Sequence, residues 1–225
     1  MFEYSVVTPV YNETESLSPL FAQLKSQLDA LHSPYEVIFV NDGSTDGSLQ
    51  KLREFQKEFP ERVRVIHLPQ RQGQTYALKV GIGQAIGRII ITLDADLQND
   101  PADIPKLLAK ISEGYDLVCG WRKSRHDTPL KMALSKFGNV LQRIFTGMTI
   151  HDISCTLRAY KRECAKQLSL EWEGQHRFIP LILSKKGFKV SEIVSNHRVR
   201  QYGFSKYGHK RIFRVMTDFF RVQFN

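Results

Sequence analysis

The stretch Ile89-Ile90-Ile91-Thr92-Leu93-Asp94-Ala95-Asp96-Leu97-Gln98 decides the fold of this chain. Its β-branched apolar run is typical of a strand buried on both faces. Two carboxylates follow at the carboxyl end of that strand, the edge at which open α/β sheets bind ligands. In an extended segment Asp94 and Asp96 share one side, and Gln98 adds a neutral oxygen two residues on. Because such oxygen ligands suit a hard divalent cation, the stretch predicts a metal–diphosphate site.

Segments typical of strands and helices alternate on both sides of this stretch. The predicted strands are residues 4–8, 36–40, 63–68, 88–93 and 116–120, with further ones at 157–161, 190–194 and 197–199. The predicted helices are residues 16–31, 47–59, 75–86, 103–112 and 128–145, and a last one from 207. Small residues at 73, 77, 81 and 85 indicate a helix face packed closely on the sheet. The alternation predicts an α/β fold, a mostly parallel sheet covered by helices on both faces.

Composition limits the classes of partner. The 225 residues suffice for one large domain, and 42% hydrophobic with 24% charged residues is ordinary for a soluble protein. The balance of 32 Lys+Arg against 23 Asp+Glu, a net charge of +9, favours phosphate-bearing partners. A nucleic-acid-binding protein is the rival from another class, but no recognition motif accompanies the charge. The three cysteines lack metal-ligand spacing, and we expect them to be reduced and buried.

Polar loops follow the first two predicted strands and would lie beside Asp94 and Asp96 at the same sheet edge. In the first loop, Tyr11 could lie against a nucleobase and Glu13 could accept hydrogen bonds from the base or ribose. In the second loop Asp42 is favoured as a ligand of the nucleoside. Asp and Asn are also common turn and cap residues, so ordinary loops are the alternative. Asp46 is interpreted in that way, as the N-cap of the next helix.

The order of these motifs resembles a known family. Pro9-Val10-Tyr11-Asn12-Glu13, then Val40-Asn41-Asp42-Gly43-Ser44-Thr45-Asp46, then Asp94-Ala95-Asp96-Leu97-Gln98 resemble inverting family 2 glycosyltransferases with the GT-A (Rossmann-like) fold. The continuation Asn99-Asp100-Pro101 resembles the polyprenyl-phosphate branch, typified by dolichol-phosphate mannose synthases. Later motifs agree: Gly120-Trp121-Arg122, a basic helix with Lys131 and Ser135, and Arg200-x-x-Gly203-x-Ser205-Lys206. Lys131 departs from the arginine that relatives often have there, and lysine lacks the bidentate fork.

The resemblance implies a donor site for a UDP- or GDP-sugar and a Mg²⁺ or Mn²⁺ ion. The residues implied in nucleoside binding are Pro9, Tyr11, Glu13, Val40 and Asp42. Those implied along the ribose and diphosphate are Asp94 and Ala95, and those implied in the metal site are Asp94, Asp96 and Gln98. Arg200 and Lys206 would come from a loop that closes over the donor, with Gly203 as its hinge. A degenerate nucleotide-sugar binder is disfavoured because Asp94 and Asp96 are both intact.

The acceptor implied by the resemblance is a polyprenyl phosphate that receives a hexose. A phosphate monoester has a second pKa of about 6, so it is mostly dianionic at neutral pH and needs no general base. It needs cationic positioning, for which the candidates are Arg122, Lys131, Ser135 and Arg125. The alternative within the family is transfer to a sugar hydroxyl of a growing glycan, with Asp152 as general base. His151 and His176 are interpreted as structural.

The expected organisation is a catalytic domain over residues 1–206 and a basic amphipathic helix over residues 207–225. Such helices lie on anionic membrane surfaces, so we expect membrane association on the cytoplasmic side. No apolar run reaches the ~20 residues of a membrane-spanning helix. The sequence is expected to be either a catalytic domain truncated before membrane-spanning helices or a peripheral form.

Overall fold

The apolar run at residues 89–92 forms an interior strand of a seven-stranded sheet in this computed structural model, which describes residues 2–123 and 150–202. The strands are β1 (Tyr4–Val10), β2 (Tyr35–Asp42), β3 (Val63–Leu68), β4 (Ile89–Thr92), β5 (Leu117–Trp121), β6 (Arg158–Lys161) and β7 (Val190–Val194). Their order across the sheet is β3-β2-β1-β4-β6-β5-β7. All neighbours are parallel except β6, which runs antiparallel to both β4 and β5. The predicted mostly parallel α/β sheet is confirmed.

Helices cover both faces of the sheet. They are α1 (Thr14–Asp29), α2 (Ser48–Glu58), α3 (Gln74–Gln84), α4 (Ile104–Ser112), α5 (Arg162–Lys166) and α6 (Ile179–Lys185), with 3₁₀ turns at Pro101–Asp103 and Gln175–Phe178. The apolar faces of α1, α2 and α4 pack on one side of the sheet. Those of α3, α5 and α6 pack on the other side, which gives two cores around one sheet. Burying both faces explains why the central strands are apolar throughout.

Helix α3 approaches the sheet closely because its packing face consists of small residues. A Cβ atom at Gly81 would lie 2.4 Å from Val7 Cγ1 and 3.0 Å from Val40 Cγ2. Ala77 and Ala85 on the same face are buried. The predicted close packing of this helix on the sheet is therefore confirmed.

Several predicted elements differ from the structure. The strand predicted at 197–199 is wrong, since His197 makes only an isolated bridge to Asn99. Helices α5 and α6 were not predicted, because five- and seven-residue helices are too short to show a helical period. The helices predicted at 128–145 and from 207 lie outside the described residues. All three cysteines are buried and form no disulfide, as expected.

Candidate active site

The carboxyl ends of the parallel strands β1, β2 and β4 bring three polar loops to one edge of the sheet. The loops after β1 and β2 are joined directly. The Asn12 backbone N–H donates to Ser44 Oγ (3.0 Å), and the Thr45 N–H donates to Asn12 Oδ1 (2.8 Å). The Glu13 N–H donates to Ser48 Oγ (2.9 Å). These bonds fix the position of Glu13 beside the second loop.

Asp46 serves the starts of two helices. Its carboxylate accepts the Ser48 N–H of α2 (2.9 Å) and the Thr14 N–H of α1 (3.2 Å). These are among the N–H groups that have no partner within their own helix. The prediction that Asp46 holds the start of α2 is confirmed, but the N-cap position itself belongs to Gly47. The bond of Asp46 to the start of α1 was not predicted.

The residues predicted to bind the nucleoside are placed differently from one another. The Arg71 guanidinium lies over the Tyr11 ring, with 4.3 Å between Arg71 Cζ and the ring centroid. Asp42 is buried and accepts the backbone N–H groups of Gln72 (2.6 Å) and Gly73 (2.9 Å). Asp42 therefore holds the start of α3, a role that sequence reasoning missed.

Pro9 and Val40 are partners in the register of β1 and β2. The Val40 side chain is fully buried against α3, so it cannot reach a ligand. Any contact of this residue with a nucleoside is restricted to its backbone. Pro9 is partly exposed.

The loop after β4 is a turn, and the extended geometry predicted for Asp94 to Asp96 is wrong. Strand β4 ends at Thr92, and Leu97 adopts a left-handed backbone with φ of 62°. Asp96 Oδ1 accepts the Gln98 N–H (3.1 Å), a local bond that competes with an extended chain. The turn, and not the alternation of a strand, sets the positions of the two carboxylates.

Asp94 is held through both of its carboxylate oxygens. Gln74 Nε2 donates to Oδ1 (2.6 Å), and Thr156 Oγ1 donates to Oδ2 (2.7 Å). Burial first, and then the negative charge of Asp96, raise the pKa of Asp94 to about 6. The charge of Arg122 acts on the pKa of Asp94 in the opposite direction. Gln74 and Thr156 were not predicted, because their part in the site depends on tertiary contacts.

Three residues predicted for the donor site meet at a single guanidinium. Arg200 pairs with Asp96 Oδ2 through Nη2, and its Nη1 lies 3.6 Å from Glu13 Oε1. The Asp96 and Glu13 side chains are only 9% and 10% exposed, against 22% for Arg200. The Gln98 carbonyl accepts the Arg198 N–H (2.9 Å), which helps to bring residue 200 to the acidic loop.

Arg122 and Asp152 form the second half of the site. Arg122 donates through Nε to Asp152 Oδ2 (2.7 Å) and through Nη2 to Oδ1 (3.0 Å). Its Nη2 also donates to Ser154 Oγ (2.9 Å), and the Ser154 N–H donates to Asp152 Oδ1 (3.2 Å). Burial lowers the pKa of Arg122, but Asp152 outweighs it and raises that pKa above its usual range. The pair is therefore a cation fixed by a buried counter-ion.

The two histidines have protein partners. The buried His176 ring shares a 2.6 Å hydrogen bond with Thr75 Oγ1. His151 pairs with Glu192 and stacks on Trp121, with ring centroids 4.1 Å apart. Five other predicted residues lie outside the described residues, and their roles stay predictions: Arg125, Lys131, Ser135, Gly203 and Lys206.

The acidic loop suits a divalent cation of the magnesium type. Within residues 2–123 and 150–202, no group of three or more His, Cys, Asp or Glu side chains is arranged as a metal site. Mg²⁺ is usually held by one or two carboxylates and completed by water and substrate phosphates. Asp96, with Asp94 close enough to interact, matches that donor set. The guanidinium of Arg200 at Asp96 indicates that this position stabilises positive charge.

Comparison with known proteins identifies the family. The model of the family described as Glycosyl transferase family 2 matches residues 5–169. The chain belongs to this family. The family and the glycosyltransferase class predicted from the sequence are thereby confirmed.

The family 2 relatives include transferases named for polyprenyl phosphates. The chain is 38% identical over 226 residues to the dodecaprenyl-phosphate galacturonate synthase of Rhizobium johnstonii, covering 99% of this chain and 67% of the relative. It is 38% identical over 214 residues to the undecaprenyl-phosphate 4-deoxy-4-formamido-L-arabinose transferase of Enterobacter sp. (strain 638), covering 95% and 65%. The chain thus spans about two thirds of the length of these curated relatives.

A solved structure shares the fold. Glucosyl-3-phosphoglycerate synthase from Mycobacterium tuberculosis, in complex with Mn²⁺, UDP and phosphoglyceric acid, superposes with a TM-score of 0.75 at 18% identity. The match covers 99% of this chain and 78% of that one. The predicted GT-A architecture is confirmed by this likeness.

Proposed function

We propose that this chain is the catalytic part of an inverting glycosyltransferase that moves one sugar from a nucleotide-diphosphate sugar to a polyprenyl phosphate. The observation that carries the proposal is the bidentate pair of Arg122 and Asp152. Both Asp152 oxygens accept hydrogen bonds from one guanidinium, at 2.7 and 3.0 Å. A carboxylate held in this way is a poor proton acceptor, because protonation sacrifices two charge-assisted bonds.

An acceptor that arrives already deprotonated removes the need for such a base. The dianionic phosphate of a polyprenyl phosphate is itself the nucleophile. The hydrogen bonds of Arg122 to Asp152 and Ser154 use Nε and Nη2. Within residues 2–123 and 150–202 its Nη1 makes no hydrogen bond, and we propose that it contacts the acceptor phosphate. In this proposal Asp152 and Ser154 fix the guanidinium, and Arg122 offsets the repulsion between two phosphate-bearing substrates. Lys131 and Ser135 are proposed as further contacts of that phosphate.

The acidic loop is proposed as the donor side. Asp96, with Asp94 and Gln98, would hold Mg²⁺ or Mn²⁺, which neutralises the charge of the leaving diphosphate, a contribution worth several kcal/mol. Glu13 and Tyr11 are proposed to contact the nucleoside. The Arg200 guanidinium is proposed to leave Asp96 and to pair with the donor diphosphate. Attack by the acceptor on the anomeric carbon, opposite the diphosphate, is a single displacement and therefore inverts that carbon.

Access to the lipid requires a membrane surface. The segment 207–225 carries Lys210, Arg211, Arg214 and Arg221 among phenylalanines, a composition typical of helices on anionic bilayers. No helix among the described residues is long and apolar enough to cross a membrane. We therefore propose that this segment contacts the membrane. The predicted side of the membrane is the cytoplasmic one.

The test is a transfer assay with two matched acceptors. The full chain is incubated with Mn²⁺ and a panel of radiolabelled UDP- and GDP-sugars in detergent, with polyprenyl phosphate or the corresponding free polyprenol. We expect labelled lipid from the phosphate and none from the alcohol. Equal transfer to both acceptors would contradict the mechanism without a base. When a glycan is supplied as a third acceptor, transfer only to its sugar hydroxyl would favour Asp152 as the base and the alternative acceptor class.

A further inference from the structure

We propose that Gln74 and Thr156 are positioning residues that clamp the Asp94 carboxylate for the metal–diphosphate donor. The inference rests on the donor site proposed above. It concerns two residues that lie in none of the motifs of the family resemblance and whose side chains meet only in the folded chain.

The clamp is formed by one neutral donor on each carboxylate oxygen. Gln74 Nε2 lies 2.6 Å from Oδ1, and Thr156 Oγ1 lies 2.7 Å from Oδ2. Two bonds at opposite oxygens fix the rotation of the carboxylate about its last torsion. Each oxygen of an ionised carboxylate has a further acceptor site, so the clamp orients Asp94 without consuming its capacity for a ligand.

Thr156 has a hydroxyl orientation that its surroundings determine. The Asn99 side-chain amide donates to Thr156 Oγ1 (3.1 Å). Because a hydroxyl has a single hydrogen, the Thr156 proton is directed to Asp94. The Thr156 carbonyl accepts the hydroxyl of Thr92 (2.7 Å), the last residue of β4. Thr156 is thus anchored to both ends of the loop that bears Asp94 and Asp96.

Gln74 is equally well anchored, as the first residue of α3. Asp42 fixes the two preceding backbone N–H groups, and Glu173 accepts the Thr75 N–H (3.0 Å). Gln74 therefore belongs to a helix that connects two parallel strands, whereas Thr156 precedes the antiparallel strand β6. Side chains from these two parts of the fold meet at the Asp94 carboxylate.

The clamp opposes a specific electrostatic tendency. Asp94 and Asp96 are carboxylates of one short loop, and the negative charge of Asp96 raises the pKa of Asp94. Without the two neutral donors, the Asp94 carboxylate would be free to rotate away from Asp96. Removing an outer partner of a metal-site ligand typically costs about 10- to 100-fold in metal affinity or activity.

The experiment compares three variants with a matched control. Gln74→Ala removes one donor at a half-buried helix start, and Thr156→Val removes the other with little change of volume. Thr156→Ser keeps the hydroxyl. Gln72→Ala is the control, because Gln72 is exposed and its hydrogen bond to Asp42 uses only its backbone. Calorimetry measures the affinity for UDP and for GDP, each with and without Mn²⁺, and transfer assays give kcat and KM.

We expect Gln74→Ala and Thr156→Val to weaken the Mn²⁺-dependent nucleotide affinity by about tenfold. Thr156→Ser should stay within about threefold of the native protein, and Gln72→Ala should match it. A purely structural role would lower the melting temperature but leave the manganese dependence intact. Native-like manganese dependence in Gln74→Ala would overturn the inference, even if Thr156→Val failed to fold. If the native protein bound neither nucleotide with Mn²⁺, the donor site itself would be wrong, which is a distinct outcome.

Discussion

Replacing Arg200 with alanine should affect metal binding and nucleotide binding in opposite directions. In the structure the Arg200 guanidinium pairs with Asp96 and lies 3.6 Å from Glu13. A cation that binds Asp96 without a nucleotide must displace it. In Arg200→Ala the carboxylate has no such competitor, so Mn²⁺ alone should bind more tightly. With the diphosphate present, the same variant lacks a positive charge that we propose for the donor, so the Mn²⁺–UDP complex should bind more weakly.

The magnitude follows from the geometry of the pair. The Asp96 side chain is 9% exposed and Arg200 is 22% exposed, so solvent screens the contact only partly. Hydrogen bonds to charged groups contribute about 1.5–3 kcal/mol. Because about 1.4 kcal/mol corresponds to a factor of ten, the gain in affinity for Mn²⁺ alone should be about tenfold or more.

The assay is titration of Mn²⁺ followed by electron paramagnetic resonance, which detects the free ion, repeated with saturating UDP and GDP. Arg198→Ala is the matched control. Arg198 lies two residues away and pairs with Asp100 (2.6 Å) and Gln23 (2.8 Å), not with Asp96. Its removal should leave the affinity for Mn²⁺ alone within about twofold of the native value.

Equal or weaker binding of Mn²⁺ alone to Arg200→Ala would refute the reasoning. It would mean that Arg200 does not compete with Mn²⁺, and hence that Asp96 is not the principal ligand of the ion. A gain of the same size in Arg198→Ala would point to a general effect of net charge instead of a contact at Asp96.

Three other substitutions test separate parts of the account. Asp96→Ala should lower turnover by about 10²-fold or more, by analogy with the loss of a preorganised charge stabiliser, and near-normal rates in the transfer assay would exclude the metal role. Arg122→Ala should raise the KM for polyprenyl phosphate more than the KM for the nucleotide-sugar; an equal rise for both would move Arg122 to the donor side. Gly81→Ala should destabilise the fold by about 1–3 kcal/mol, because the added Cβ would lie 2.4 Å from Val7 Cγ1. Gly83→Ala, whose Cβ would meet nothing within 4 Å, is its control and should be neutral or stabilising by up to about 1 kcal/mol in thermal unfolding.

The sequence predicted the sheet well where its signal was local. Alternating apolar and amphipathic segments in the first 120 residues indicated parallel strands, since each crossover needs a helix. The insertion of β6 between β4 and β5 was not predicted. Its position depends on pairing with residues about 40 and 70 positions earlier in the chain, and a run of four residues contains no information about that pairing.

The site was predicted where strand ends determine it. Glu13 and Asp96 follow β1 and β4 closely, so their convergence at one edge could be expected from topology. Arg200 was found through the resemblance alone, because its position depends on a contact across more than 100 residues. Gln74 and Thr156 were missed, since a glutamine at a helix start and a threonine before a strand are ordinary residues by pattern. Their part in the site becomes visible only in the folded chain, where both side chains contact Asp94.

The most direct test of the central claim is the position of a metal ion in crystals soaked with Mn²⁺ and UDP or GDP. Anomalous diffraction at the manganese edge locates the ion without assumptions about its ligands. The account predicts a peak within coordination distance of Asp96, about 2.0–2.2 Å, shared with an oxygen of the nucleotide diphosphate and with Arg200 moved off the carboxylate. If the manganese ion and the nucleotide were both bound away from residues 94–98, the account would be contradicted.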